Sequence, residues 1–171
     1  YPIGVMFWGA RRPRFEYFDP DSADAKLHRT LQSKFDGDVV YPISSTVDGH
    51  YVLLEVASDR NPGELYMFDT QAKKIDPFMN RADWLDRKRL GKSQSAYFKS
   101  RDGVDIDVLL TTPAGSDGKN MPLIVHPHGG PFGLQDSWGY ERDVQMMVAH
   151  GYAVLQVNFR GSGGYGKQFQ E

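Results

Sequence analysis

The stretch Pro122–Pro131, which reads PLIVHPHGGP, is the most informative part of this 171-residue chain. A run of branched apolar residues stops at a histidine-containing turn that continues into Gly129 and Gly130. Short apolar runs bounded by turn residues are typical of strands buried in a parallel sheet. Glycine has no Cβ, so its backbone N–H can approach a ligand closely. We therefore predict a buried strand over 122–127 that leads into a ligand-facing loop at His128–Pro131.

A helix and a second strand are predicted directly after this loop. Residues 140–150 carry apolar side chains at helical spacing, and Gly151 stands where a C-terminal cap belongs. Residues 152–158 predict a second buried strand. A strand, a loop, a helix and a strand in this order form a βαβ unit with a right-handed crossover. We expect the strands at 122–127 and 152–158 to lie parallel in one sheet.

Two loops should meet at one edge of this sheet, because functional groups of open α/β sheets gather beyond the carboxyl ends of the strands. These loops are His128–Pro131 and Arg160–Gly166. In α/β-hydrolases a His-Gly-Gly loop at this place supplies an amide that stabilises a developing oxyanion. The pattern predicts acyl transfer by a serine nucleophile, and the alternative is a strand-to-helix turn without chemistry.

Three separated segments occur in the order found in one known family. They are HGGP at 128–131, a tryptophan at 138, and NFRGSGGYG at 158–166. Residues 95–107 also resemble the antiparallel opening strands of that family's catalytic domain, with Asp102-Gly103 as the hairpin turn. Residues 92–171 thus resemble the hydrolase domain of prolyl oligopeptidase-type serine peptidases, nearest the acylaminoacyl-peptidase branch.

The resemblance implies an oxyanion-hole loop made by His128, Gly129 and Gly130. The dipeptidyl-peptidase branch has a tyrosine at the position of His128 and uses its hydroxyl as a donor. A histidine cannot copy that geometry, so the amide of Gly130 is the first candidate and that of Gly129 the second, while His128 buttresses the loop. The implied substrates are short peptides, cleaved through an acyl-enzyme without a cofactor or a metal.

The first ninety residues show a weak internal repeat. Phe18-Asp19 and Phe68-Asp69 close similar runs fifty residues apart, and an apolar strand candidate precedes each run. Short strands repeating at such a period are typical of propeller blades. We therefore expect residues 1–90 to be the C-terminal part of an all-β propeller and 91–171 the N-terminal part of an α/β-hydrolase domain.

The catalytic serine, acid and histidine of an α/β-hydrolase follow the strands found here, in that order. The chain has no Gly-x-Ser-x-Gly sequence, since Arg160 stands where Ser162 would need the first glycine. We interpret Ser162 as a loop hydroxyl, His126 as a strand-end residue and His150 as a helix C-terminal residue. The expectation is a chain truncated before the nucleophile and inactive by itself.

Other classes of function remain open at this stage. The spacing Gly161-x-Gly163-x-x-Gly166 satisfies a dinucleotide fingerprint, but that fingerprint normally occupies the first βα turn of its sheet. In the purely structural alternative, these glycines only turn the chain and Arg160 forms an internal ion pair. An esterase without a propeller and a non-catalytic binding protein are the two further alternatives.

The composition of the chain argues against several other classes of function. A formal charge of −2 gives no argument for nucleic-acid binding, and no apolar run is long enough to span a bilayer. His126 and His128 are too few ligands for a zinc site. The chain has no cysteine, and any signal peptide would precede Tyr1, so cytoplasmic and periplasmic or secreted locations both stay open. A homo-oligomer is likewise neither required nor excluded.

Overall fold

The computed structural model describes residues 2–130 and 133–171. The chain begins with an antiparallel hairpin of β1, Gly4–Phe7, and β2, Arg14–Tyr17. Helix α1, Ala23–Gln32, follows, and the Ser22 hydroxyl caps it by accepting from the Ala25 N–H. Such a cap satisfies one of the backbone donors that a helix start leaves unpaired.

The next four strands form an antiparallel sheet in which every strand pairs with its neighbour in sequence. They are β3, Val39–Ser45; β4, Tyr51–Ser58; β5, Asn61–Asp69; and β6, Lys74–Asn80. Side chains of a strand alternate between the two faces of its sheet, and in β4 this places Leu54 and Val56 together in the core. Leu31 of α1 packs on the same core.

A second sheet of four strands has the order β7-β8-β10-β9. Its strands are β7, Lys92–Lys99; β8, Asp105–Thr112; β9, Leu123–Val125; and β10, Ala153–Val157. Helix α2, Arg142–Ala149, connects β9 to β10 and packs Val144 and Val148 against Val154. A last short helix, α3, spans Lys167–Gln170.

The main sequence predictions for this sheet are confirmed. Strands β9 and β10 are parallel, and the turn around Asp102-Gly103 joins the antiparallel strands β7 and β8. Gly151 ends α2 with a positive φ of 91°, a conformation that favours glycine. The His150 Nδ1 lies 2.8 Å from the carbonyl oxygen of Met146, so this histidine closes the helix end as expected.

Two features of the fold differ from the sequence predictions. Strand β9 is shorter than 122–127 and is not buried, since Leu123 and Val125 are 54% and 58% exposed. Leu123 and Val125 share one face of the strand, whereas the intervening Ile124 faces the other way and packs against the core formed with α2. Helix α1 was not predicted, because the first ninety residues were interpreted as strands alone.

The two sheets are joined by the side chain of Gln145 in α2. Its Oε1 accepts from the Gly91 N–H at 2.8 Å, and its Nε2 donates to the carbonyl oxygens of Asp59 and Gly91. Gly91 has no room for a side chain, since a Cβ there would lie 2.5 Å from Val148. The turn between β4 and β5 is thereby fastened to the start of β7 and to α2.

Candidate functional site

The glycine loop begins at the carboxyl end of β9. The His126 N–H donates to the Leu155 carbonyl at 2.8 Å, and the chain then leaves the sheet. Gly129 and Gly130 are both exposed. Gly130 has φ of +94°, a conformation that favours glycine, and a Cβ there would require the exposed Leu134 side chain to move. Pro131, the last residue of the predicted motif, lies outside the described residues.

The second loop, 158–166, lies against the first. The Gly133 N–H donates to the Gly161 carbonyl at 3.1 Å, and the Gly163 N–H donates to the Leu134 carbonyl at 2.9 Å. A Cβ on Gly163 would lie 2.3 Å from the Gly133 oxygen, so only glycine permits this approach. The prediction that the two loops meet is confirmed.

A direct contact between side chains of the two loops was missed by the sequence analysis. The Nε2 atom of His128 lies 2.7 Å from the hydroxyl oxygen of Ser162, which is fully buried. The Nδ1 atom of His128 is 3.2 Å from the Gly129 carbonyl oxygen. The imidazole stacks on the ring of Phe159 with centroids 4.6 Å apart and planes inclined by 16°. No local pattern could have revealed a pair 34 residues apart.

This serine–histidine pair is not arranged as a nucleophile and its base. Ser162 has no exposed surface, so a substrate carbonyl cannot reach its hydroxyl. A catalytic histidine is normally oriented by a carboxylate on its second nitrogen, whereas Nδ1 of His128 lies against a backbone carbonyl. The geometry agrees with the interpretation of Ser162 as a loop hydroxyl and adds a partner to it.

A network of hydrogen bonds centred on the buried Asn158 holds the second loop in place. Asn158, 1% exposed, accepts from the Asp136 N–H at 2.7 Å, and its amide donates to the Asp136 carbonyl and to the Tyr165 hydroxyl. Burial raises the pKa of Asp136, and the hydrogen bond from Gln156 and the nearby His128 oppose this rise. Within the described chain, Oδ2 of Asp136, Oγ of Ser137 and Nδ1 of His126 are buried without a hydrogen-bond partner.

Arg160 forms an internal ion pair, as one of the sequence alternatives proposed. Its guanidinium binds the carboxylate of Asp102 in the β7–β8 turn, which holds the pKa of Asp102 well below its usual value. The Ser100 hydroxyl accepts from the same guanidinium at 3.4 Å. Arg160 thus forms an ion pair within the protein.

A cleft of about 380 Å³ lies between the β1–β2 turn and the second loop, which contributes Gly164 and Tyr165 to its lining. The turn contacts the rest of the chain although its residues Arg11 and Arg12 are exposed. The Arg12 guanidinium donates to the Asp38 carbonyl at 2.8 Å and lies 5.9 Å from the Trp138 ring centroid, and the Trp138 N–H donates to Gly9. The lining of the cleft comes from the β1–β2 hairpin and from the second half of the chain, and it includes Phe7, Trp8, Arg11, Asp107, Gln135 and Tyr165.

In residues 2–130 and 133–171, no three His, Cys, Asp or Glu side chains are grouped so that they could hold a metal ion. Over the same residues, none of the helices has the length and apolar character needed to cross a membrane.

Comparisons with known sequences point to one family. The sequence model of the prolyl oligopeptidase family matches residues 138–171. Dipeptidyl aminopeptidase BIII of Pseudoxanthomonas mexicana is 33% identical over 165 residues, which are 92% of this chain and 23% of that protein. The acylamino-acid-releasing enzyme of Sus scrofa is 39% identical over 67 residues, covering 38% of this chain and 9% of that enzyme.

Comparison with solved structures agrees. The acylaminoacyl peptidase of Pyrococcus horikoshii superposes with a TM-score of 0.55 at 24% identity, over 80% of this chain and 21% of that one. At this identity the likeness shows the fold alone. The chain spans less than a quarter of the length of each of these relatives. Along most of its length the chain is thus similar in sequence to members of the prolyl oligopeptidase family, and the model of that family matches its last 34 residues, 138–171.

Proposed function

We propose that this chain is part of a serine peptidase that hydrolyses short peptides through an acyl-enzyme. In this proposal residues 1–90 are the C-terminal part of a β-propeller, and residues 91–171 are the N-terminal part of the α/β-hydrolase domain. The sheet β3–β6 supports the first assignment, because propeller blades are four-stranded antiparallel sheets. The parallel β9–α2–β10 unit supports the second.

The role proposed for this segment is to supply an oxyanion donor, the N–H of Gly130. In acyl transfer the attacked carbonyl oxygen gains negative charge, and a backbone N–H held in place stabilises that charge. One observation carries the proposal: Gly130 is exposed at the carboxyl end of β9, and no acceptor in the described part of the chain takes its N–H. Gly129 is the second candidate donor. His128 is assigned to the loop that presents them.

The nucleophile, its histidine and its acid are proposed to lie outside these 171 residues. No serine of the chain stands in a Gly-x-Ser-x-Gly sequence. The serine that does contact a histidine, Ser162, is buried. This segment would therefore shape the transition state of the reaction without taking part in bond formation.

The first test is whether the full-length protein has an activated serine. We expect a fluorophosphonate probe to label the full-length protein and to leave the 171-residue chain unlabelled. Hydrolysis of N-acylated and free short peptide amides should accompany labelling. Labelling with cleavage of esters but not of peptides would favour the esterase alternative, and an unlabelled full-length protein would favour a binding protein. Labelling of the 171-residue chain would contradict the proposed position of the nucleophile.

The second test addresses Gly130 itself. Gly130→Pro deletes the N–H, and the loss of one oxyanion donor lowers turnover about 10²- to 10³-fold. Proline also cannot adopt a φ of +94°, so folding of the variant must be checked by circular dichroism. Gly129→Ala is the matched control, because it keeps its N–H and its Cβ would meet nothing within 4 Å. Near-normal turnover in a folded Gly130→Pro variant would remove Gly130 from the site.

A further inference from the structure

The buried hydroxyl of Ser162 has one side-chain partner within the described chain, the imidazole of His128 at 2.7 Å. This contact crosses between the two loops at the point where the glycine loop leaves the sheet. The backbone of the loops is already joined on both sides of Ser162, through the Gly133–Gly161 and Gly163–Leu134 hydrogen bonds. The Ser162 hydroxyl is therefore not needed to bring the loops together, and its effect falls on His128.

The contacts of His128 determine which ring nitrogen carries the proton. A carbonyl oxygen can only accept, so Nδ1 of the neutral ring donates to Gly129. Nε2 is then unprotonated and accepts the hydrogen of the Ser162 hydroxyl. Stacking on Phe159 limits rotation of the ring. The Gly129 carbonyl thus sets the tautomer, and Ser162 holds the ring at Nε2 so that the Nδ1–H stays aimed at that carbonyl.

The Gly129 carbonyl and the Gly130 N–H belong to the same peptide unit. That unit is planar and trans, so its C=O and N–H point in opposite directions. A hydrogen bond that holds the carbonyl of Gly129 therefore also fixes the direction of the Gly130 N–H. Such a hold matters here because two adjacent glycines have more conformational freedom than any other pair.

We propose that Ser162 is a positioning residue for the Gly130 amide, acting through His128 and the Gly129 carbonyl. The proposal rests on the oxyanion role proposed above for Gly130. It gives the hydroxyl a function in which Ser162 touches neither substrate nor reacting atoms. It also explains why a side chain that the sequence marks as a failed nucleophile motif is completely buried against a histidine.

The test is Ser162→Ala in the full-length protein, with Ser137→Ala as the matched control. Ser137 also has a buried hydroxyl, but that hydroxyl has no hydrogen-bond partner among the described residues. Misplacing a catalytic group by a small distance costs up to about 10²-fold, so we expect Ser162→Ala to lower kcat about 10- to 100-fold with little change in KM. Ser137→Ala should leave kcat within about twofold of the parent, by the same principle.

A double-mutant cycle separates positioning from general destabilisation. His128→Phe keeps a planar ring for stacking and removes both nitrogens. If Ser162 acts only through His128, then adding Ser162→Ala to His128→Phe causes no further loss of kcat, because the interaction is already gone. Independent losses that multiply in the double variant would overturn the proposal.

Two NMR measurements test the link without any activity. The ¹⁵N shifts of His128 should show the Nδ1–H tautomer in the parent protein. In Ser162→Ala the shift of the unprotonated Nε2 should change, because no hydroxyl donates to it any longer. The order parameter of the Gly130 N–H should fall in Ser162→Ala and stay unchanged in Ser137→Ala. If the protein proves inactive, the proposed function fails while these shifts still decide whether Ser162 orders the amide. An Nε2–H tautomer in the parent, or a Gly130 amide equally ordered in both proteins, would overturn the inference.

Discussion

The two four-stranded sheets of this chain are built on opposite principles. In β3–β6 every strand pairs with its sequence neighbour, and the core of Leu54, Val56 and Phe68 is closed by α1. In β7–β10 the last strand lies between β8 and β9, so the order depends on contacts between distant residues. The first sheet is therefore specified locally, and the second is specified by a crossover.

The glycine loop of the candidate site extends from the second sheet, and its position also depends on contacts between residues distant in sequence. The glycine loop leaves from β9, which is an exposed edge strand, and its described contacts are hydrogen bonds and one ring stack. A loop held by directional bonds can be tuned by single polar side chains. A loop buried by apolar packing could not be tuned in that way, because its position would depend on the fit of the whole core.

The largest expected effect is in the core of the first sheet. Leu54→Ala empties a fully buried position and should lower the free energy of unfolding by about 2–5 kcal/mol. Val125→Ala in β9 is the comparison, since a 58% exposed side chain should change it by less than about 0.5 kcal/mol. Urea unfolding of both variants measures the difference. Equal losses of unfolding free energy in the two variants would show that the side chains of β9 are as well buried as those of β4. The two sheets would then not differ in this respect.

The second prediction concerns the joint between the sheets. Gln145→Leu keeps the size of a buried side chain but removes the partner of the Gly91 N–H and of the Asp59 carbonyl. A buried backbone group left without a partner costs about 1–3 kcal/mol, so we expect a loss of that order in urea unfolding. Gln71→Leu, at an exposed turn, is the control. An unchanged midpoint for Gln145→Leu would mean that the two sheets are held together by other contacts.

The sequence predicted those parts of the fold that follow a local period. Apolar runs located β9 and β10, and the helical spacing at 140–150 together with Gly151 located α2. Helix α1 had comparable signals, a capping Ser22 and Ala25, His28 and Leu31 buried at a spacing of three. They were overlooked because its sequence, ADAKLHRTLQ, is mostly polar.

The candidate site was predictable in its backbone but not in its side-chain contacts. The HGGP motif indicated where a glycine loop leaves the sheet, because glycine has a recognisable conformational role. The pairing of His128 with Ser162 joins loops separated by a whole βαβ unit, and periodicity carries no information about such a contact. The exposure of β9 was mispredicted because an apolar run does not show whether both faces of its strand are covered.

The smallest expected effect concerns the ionisation of Asp136, next to the second loop. Burial raises the pKa of Asp136 above its usual value, and the hydrogen bond from Gln156 is the largest effect that opposes this rise. The folded protein then holds this proton more tightly than the unfolded chain does. The stability that Asp136 contributes is present below its unfolded pKa and is lost as the pH rises through its raised folded value.

The stability of Asp136→Asn, relative to that of the parent protein, should therefore increase as the pH rises. The asparagine keeps an oxygen that can accept from Gln156 at the position of Oδ1, but it carries no charge at any pH. We expect the thermal midpoint of Asp136→Asn, relative to the parent, to increase from about pH 4 towards pH 7 and to level off once Asp136 is ionised in both states. Asp117→Asn, which removes the same charge from an exposed loop, corrects for the change in net charge. A difference that stays constant, or that grows towards acid pH, would show that the polar network around Asn158 stabilises the ionised carboxylate, and the second loop would then be held by charge as well as by hydrogen bonds.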